Sequence, residues 1–310
     1  MEDVICVENL SKRFEDLEAV SNLSFTVSSG TIHGFLGQNG AGKSTTIRML
    51  LTLIKPTSGS IKIFGKDLSR HRPEILRQTG AIIEKPDLYN YLTALENIQL
   101  MARLSGCNLE KKDLLRQLEI VGLSDRAHSK VKTFSQGMKQ RLGIACAMVH
   151  GPKLIILDEP TNGLDPQGIA DIRNLILHLC KNEKKTILVS SHLLSEMELI
   201  ADSMLIIDKG KKIVEGSVSD LLHPADMLVE IDTVDNAGSL QKLRTSQWAS
   251  KLQPGIERIL MKLHKEDIPL LNKDLVQMGV DVLSLQPKHS LEDYFLSLTT
   301  SNQHVAAYKN

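Results

Sequence analysis

The stretch Gly37-Gln-Asn-Gly-Ala-Gly-Lys43-Ser44 constrains this chain more than any other, because it satisfies G-x-x-x-x-G-K-[ST] at every fixed position. Residues 31–36 before it read as a short apolar strand, and residues 44–53 after it read as a helix. Gly37, Gly40 and Gly42 let the connecting backbone turn its N–H groups inward around an anion, which Cβ atoms would obstruct. A phosphate held there sits at the positive end of the helix dipole. Lys43 supplies a point charge for β- and γ-phosphates, and the Ser44 hydroxyl can ligate Mg²⁺. Alone, the loop says only that the chain binds a nucleoside triphosphate.

Two further apolar runs end in polar residues. Residues 153–157 follow Gly151-Pro152, suit a buried strand of a parallel sheet, and end in Asp158-Glu159. That is the edge at which open α/β sheets place their ligands. Residues 186–190 repeat the pattern and deliver Ser191-His192 to the same edge. None of the ten histidines has the H-E-x-x-H spacing of a metal site. Between the loop and the carboxylates lies Phe134-Ser-Gln-Gly-Met138, in which Ser135 is suited to cap a helix over residues 137–149. Such a cap aims a hydroxyl and free backbone N–H groups at an anion.

In this order the three landmarks resemble those of the ATP-binding subunits of ABC transporters, and the resemblance covers roughly the first two-thirds of the chain. It implies an α/β P-loop NTPase core of the ABC ATPase type, with ATP and Mg²⁺ as cofactors. Phe14 lies where the family stacks an aromatic ring on adenine, and Gly37, Asn39, Gly40, Ala41, Gly42, Lys43, Ser44 and Thr45 make the phosphate loop. Asp158, with Ser44, holds Mg²⁺ by the family pattern. Glu159 polarises the attacking water, and His192 stands where the family has a switch histidine contacting the γ-phosphate. The family signature is L-S-G-G-Q, of which this chain keeps Ser135 and Gly137. In the family those residues meet the γ-phosphate bound to the opposite subunit. Asn162-Gly-Leu-Asp165-Pro166 resembles the loop that crosses the dimer interface. The implied assembly is a homodimer of ATP-binding subunits closing on two ATP molecules.

One departure discriminates within the family. The position that normally carries a glutamine touching Mg²⁺ and sensing the membrane partner is Glu84 here. Ionised glutamate is acceptor-only, so its charge beside phosphates is tolerable only where Mg²⁺ or a water bridges it. Glu84 is therefore both a catalytic and a metal-site candidate, with a role in tuning coupling rather than hydrolysis. A glutamate there looks like the peptide-antibiotic branch, which includes bacitracin exporters and lantibiotic self-protection transporters. The expected function is the ATPase motor of an exporter that expels a lantibiotic or similar peptide through separate permease subunits. Tyr89, Tyr91 and Leu92 are candidate docking residues for the permease.

Composition limits the alternatives. The 310 residues carry 37 basic and 37 acidic side chains, so charge gives no reason to expect nucleic acid. Cys6, Cys107, Cys146 and Cys180 form no C-x-x-C pair and read as buried or idle thiols of a reducing cytosol. No apolar run approaches the roughly 18–20 residues of a membrane span. Met1-Glu2-Asp3 is acidic where a signal peptide is basic. The pore is thus expected on other chains, with this one at the cytoplasmic face of a bacterial membrane. Another drug or lipid cargo would use much the same motor. A soluble ABC ATPase of translation or repair is the remaining alternative, but the single motif set and the lack of heptads disfavour it.

The chain is expected to divide into an ATP-binding domain, residues 1–218, and an accessory domain, residues 219–310. Residues 1–36 and 45–82 are read as alternating strand and helix, with residues 59–65 as a strand bounded by glycines. A helical subdomain is expected over about 84–150, carried by patterns such as residues 92–101 and 113–121. Residues 204–207 and 211–215 read as a hairpin with a solvated turn at Asp208-Lys-Gly210. Short strand patterns at 227–231, 258–263 and 280–285 alternate with helical ones, indicating a small α+β appendage with Trp248 in its core. A final helix is expected at 290–298, with a S-L-E-D-x-F tail like those of drug- and antibiotic-exporting members, and fraying after 298.

Overall fold

An apolar run without alternation, such as Leu154–Leu157, is satisfied only where both faces of its sheet are covered. The computed structural model describes residues 2–221, 227–253 and 258–288, and it aligns several such runs side by side. The chain starts with β1 (Asp3–Phe14), β2 (Leu17–Ser28) and β3 (Ile32–Leu36), followed by α1 (Lys43–Leu50). Next come β4 (Ser58–Ile63), β5 (Lys66–Asp67), α2 (Arg72–Leu76) and β6 (Thr79–Ile82). A helical block follows, with α3 (Ala94–Leu104), α4 (Lys111–Ile120) and α5 (Gln136–Met148). Alternation then resumes through β7 (Leu154–Leu157), α6 (Pro166–Lys181), β8 (Thr186–Ser191) and α7 (Leu194–Glu198). The hairpin of β9 (Ser203–Asp208) and β10 (Lys211–Ser217) closes this part, and the short α8 (Val218–Leu221) follows at the boundary.

Two sheets result. One has the order β10-β9-β3-β8-β7-β6 and is parallel except for its edge strand β10. The other is antiparallel, in the order β2-β1-β4-β5. They share one core, in which Phe35, Leu154 and Leu188 of the first sheet meet Ile5, Leu23 and Ile61 of the second, together with Ile47 of α1. The expected alternation over residues 1–36 is corrected here: the described residues before the loop form three strands and no helix. Burial explains why. Leu23, Phe25 and Val27 are buried at every second position, a period only a strand can present to one face.

The helical block is set by local signals. Thr93 caps α3 in a reciprocal capping box with Glu96, and Ser135 caps α5 by accepting from the Met138 N–H. The hydrogen bonds from Thr93 hold the Glu96 carboxyl below its usual range.

Because β3, β6, β7 and β8 run parallel, their C-terminal ends lie on one edge of the sheet. The glycine-rich loop leaves β3, Glu84 follows β6, Asp158-Glu159 follow β7, and His192 follows β8. Strand order, not sequence distance, makes these residues neighbours.

The contacts divide the chain into Met1–Val218 and Ser219–Asn310. The second unit contains β11 (Met227–Thr233), α9 (Asn236–Arg244), β12 (Leu252–Gln253), β13 (Ile259–Leu263), α10 (Ile268–Gln277) and β14 (Val282–Lys288). Its antiparallel sheet has the order β12-β13-β11-β14, so the first strand lies between the third and fourth. This is the split β-α-β arrangement of ferredoxin-like domains. Trp248 is buried in its core, and its indole N–H donates to Asp274 Oδ2 at 2.9 Å. The helix expected at 290–298 and the tail beyond it lie outside the described residues.

Candidate nucleotide site

The loop is shaped by close backbone approach. Gly42 has φ of 106°, and a Cβ there would stand 2.6 Å from the Ala19 carbonyl oxygen of β2. A Cβ on Gly37 would stand 2.5 Å from the Ile207 carbonyl oxygen of β9. Both positions therefore need glycine on steric grounds alone. The loop closes over Lys43, whose Nζ donates to the carbonyls of Gly37 at 2.6 Å and Gln38 at 3.2 Å. The same ammonium lies 3.1 Å from Glu159 Oε1. Lys43 is buried, so the loop carbonyls and one carboxylate replace the water it loses.

Beside it opens a cavity of about 460 Å³, within the range of small-molecule sites. Phe14, Asn39, Gly40, Gly42, Lys43, Ser44, Thr45 and Glu159 line it, bringing together eight of the residues singled out in the sequence. Phe14 is partly exposed, with Lys12 Nζ 4.7 Å from its ring centre. Gly37 and Ala41 are not on the wall. Gly37 offers its carbonyl to Lys43, and buried Ala41 accepts from the Gly210 N–H at 2.9 Å.

Leu17, Ala19 and Lys209 also line the cavity and had no signal in the sequence. The turn at 208–210 is solvated as expected, with Lys209 exposed, and it has a second role beside the loop. The Gly210–Ala41 hydrogen bond draws the turn against the loop, and Lys209 becomes part of the wall.

The two carboxylates are differently engaged. Asp158 is fully buried; its Oδ1 accepts from Ser190 Oγ at 2.6 Å, and its Oδ2 is buried without a hydrogen-bond partner. Glu159 has φ of 49°, an uncommon value outside glycine. Its Oε2 lies 2.7 Å from His192 Nδ1. Oε1 has Lys43 as its ionic neighbour, but no hydrogen bond has the right angles to satisfy it. A carboxylate oxygen orphaned in the interior, taken with the Ser44 hydroxyl that lines the cavity, is a donor set suited to a hard divalent cation such as Mg²⁺.

Glu84 follows β6 with φ of 59°, and its Oε1 meets Arg48 Nη2 of α1 at 2.7 Å. The expectation that only Mg²⁺ or water could balance this charge is thereby corrected, since a guanidinium does so. Ser135 and Asp165 are both helix caps. Ser135 Oγ accepts from Met138 N at 3.2 Å, and Asp165 Oδ1 accepts from Gly168 N at 3.0 Å. A Cβ on Gly137 would lie 3.8 Å from Gly168 Cα, so the start of α5 packs on the start of α6. Ser135, Gly137 and Asp165 lie away from the Phe14–Lys43 cavity. Burial pushes the Cys146 thiol up to about 12, in keeping with an idle thiol.

Comparison with known proteins identifies the class. Residues 20–162 match the ABC transporter family. The chain is 44% identical over 304 residues to the bacitracin transport ATP-binding protein BcrA of Bacillus licheniformis, spanning 96% of this chain and 98% of that protein. It is 43% identical over 209 residues to the lantibiotic transport ATP-binding protein SrtF of Streptococcus pyogenes, spanning 67% and 89% respectively. A solved ATP-binding subunit of an ABC transporter superposes with a TM-score of 0.62 at 34% identity, covering 70% of this chain and 91% of that one. The chain belongs to the ATP-binding proteins of ABC transporters. It is an ATP-binding ATPase with the α/β cassette fold of that family. Among the described residues, no helix is long and apolar enough to cross a membrane.

Proposed function

We propose that this ATPase is the motor of an exporter that removes a peptide antibiotic, working as a homodimer on separate membrane permeases at the cytoplasmic face of a bacterial membrane. The observation that carries the cargo class is the alignment with a bacitracin transport protein along nearly its whole length, accessory unit included. Glu84 and the lantibiotic transport relative support the same branch.

The chemistry follows from the site. The Phe14 ring would stack the base, the loop N–H groups and Lys43 would receive the phosphates, and Ser44 and Asp158 Oδ2 would hold Mg²⁺. A cation bound there would supply neutralisation of the charge on the phosphate oxygens. Glu159 Oε1 is beside the Lys43 ammonium but accepts no hydrogen bond there. It would take one from water and align it with the γ-phosphorus, while His192 holds Oε2 and fixes the plane of the carboxylate. Attack would form a bond from the water oxygen to the γ-phosphorus and break that from the γ-phosphorus to the β,γ-bridging oxygen. ADP would leave on that oxygen, and the water proton would pass to Glu159. Ser135, Gly137 and Asp165 lie away from this cavity because, in this reading, they complete the site of the partner copy. Tyr89 and Tyr91 are exposed and meet edge to face at 5.9 Å, and buried Asn97 pins the Tyr89 backbone, which makes a firm surface for a permease.

The test is survival of cells that express the chain with its candidate permeases under bacitracin, lantibiotics and unrelated drugs, beside a Glu159→Gln control. Protection against one peptide class, lost in the control, is expected. Protection against a lipid-like or unrelated drug alone would replace the cargo assignment.

A further inference from the structure

Ser190 is the penultimate residue of β8, fully buried, and had no part in the sequence-level site. β7 and β8 pair in parallel with Leu157 opposite Val189, so the next residues, Asp158 just past β7 and Ser190 still in β8, stand side by side. Its hydroxyl donates to Asp158 Oδ1 at 2.6 Å and accepts from the Glu159 N–H at 2.9 Å. One hydroxyl has one proton and two lone pairs, so it can make both bonds at once, and their directions are mutually constrained.

Two consequences follow for groups the reaction uses. With Oδ1 tied to Ser190, the Asp158 carboxylate has one rotational setting, and Oδ2 is the oxygen left free in the interior. The second bond anchors the Glu159 peptide at its left-handed φ of 49°, from which the side chain stands between Lys43 and His192. Backbone in that region persists only where its surroundings over-determine it.

We propose that Ser190 is a positioning residue that aligns both acidic groups with a single hydroxyl, presenting Asp158 Oδ2 to the divalent cation and Glu159 Oε1 to the attacking water. This rests on the roles given above to Asp158 and Glu159. Ser190 touches neither nucleotide nor cation and acts through its two partners. Outer partners of this kind, when removed, cost about 10–100-fold in metal affinity or activity.

The decisive variants are Ser190→Ala and the near-isosteric pair Ser190→Thr and Ser190→Val, which differ in the hydroxyl alone. Three readouts are compared on the full chain: kcat and KM for MgATP, Mn²⁺ binding by electron paramagnetic resonance with a non-hydrolysable ATP analogue, and binding of a fluorescent ATP analogue in EDTA. Ser190→Ala and Ser190→Val are expected to lower kcat by about 10–100-fold and weaken Mn²⁺ binding, with binding in EDTA within about twofold of wild type and Ser190→Thr retaining activity. Wild-type kcat and Mn²⁺ binding in Ser190→Ala overturn the proposal. If Ser190→Ala does not fold, equal behaviour of the Thr and Val variants overturns it. Asp158→Asn and Glu159→Gln separate this from the underlying reading. If they abolish turnover while Ser190→Val keeps wild-type kcat and Mn²⁺ binding, only the Ser190 proposal falls; if they too are unaffected, the assignment of the site falls with it.

Discussion

Arg48 Nη2 and Glu84 Oε1 are 2.7 Å apart, joining the helix that follows the phosphate loop to the segment that leaves β6 for the helical block. The two side chains are 42% and 64% exposed, so water and salt screen the pair. Exposed pairs contribute about 0–1 kcal/mol, which makes this contact easy to exchange for another.

Removing only the cation leaves the Glu84 charge unbalanced beside a helix that must receive phosphates. Arg48→Met is expected to raise KM for ATP by about two- to fivefold, the kinetic equivalent of an exposed pair. The double variant with Glu84→Gln is expected to return it to near wild type. Steady-state ATPase assays of the two single variants and the double variant, at low and high salt, check both the coupling and its screening.

Lys43 is the buried ammonium on which the loop closes, and Glu159 is the carboxylate aimed at the same cavity. Lys43→Ala is expected to weaken ATP binding and lower turnover together. Glu159→Gln is expected to keep ATP binding and lower kcat by about 10²-fold or more, since it removes an acceptor used at the chemical step. Binding of a fluorescent ATP analogue beside single-turnover hydrolysis distinguishes the two. Unchanged turnover in either variant would remove its residue from the mechanism.

The caps make a test of assembly. Ser135→Ala is expected to cost about 1 kcal/mol of stability through the lost N-cap bond, and to reduce ATPase activity further by damaging the partner copy's site. Mixing Lys43→Ala and Ser135→Ala chains would then regenerate one composite site in some dimers. A rise in activity on mixing is the expected result; a simple average of the two would argue against sites shared between copies.

His33 gives the fold an acid sensitivity. It lies buried in β3, stacked on Phe25, with Nδ1 2.9 Å from Ser203 Oγ and Nε2 without a partner. Burial lowers its pKa from 6.5 to about 4, against a smaller opposing influence of the Glu215 carboxylate. The unfolded chain therefore takes up the proton first as pH falls, and stability is lost from about pH 6.5 down to about pH 4. The gap corresponds to about 3 kcal/mol when fully expressed. Urea unfolding across this range should lose that stability in the wild type, and the loss should shrink in His33→Phe.

The features legible in the sequence are those a short stretch of chain determines for itself. The turn after β3 needs Gly42 because no Cβ fits against Ala19, and the hydroxyl of Ser135 caps its own helix three residues on. The runs of β7 and β8 announce buried parallel strands because they lack any polar alternation. The accessory unit was legible as α+β, although the position of β11 between β13 and β14 was not. The pairing of β1 with β2 went unread because bulges interrupt its register, and with it the period of two on which recognition depends.

The sequence by itself determined the phosphate loop, the paired carboxylates and the helix caps, since each is a matter of spacing within a few residues. Only the tertiary structure decided that Ser190 would bind Asp158 and Glu159, that Arg48 would balance Glu84, and that Lys209 would reach the cavity wall. These contacts span 31 or more residues of chain and arise because β8 lies between β3 and β7 in the sheet, because α1 approaches the segment after β6, and because the turn after β9 binds the loop. Strand order is chosen by the burial of the whole core rather than by any local stretch, so no short motif could announce it.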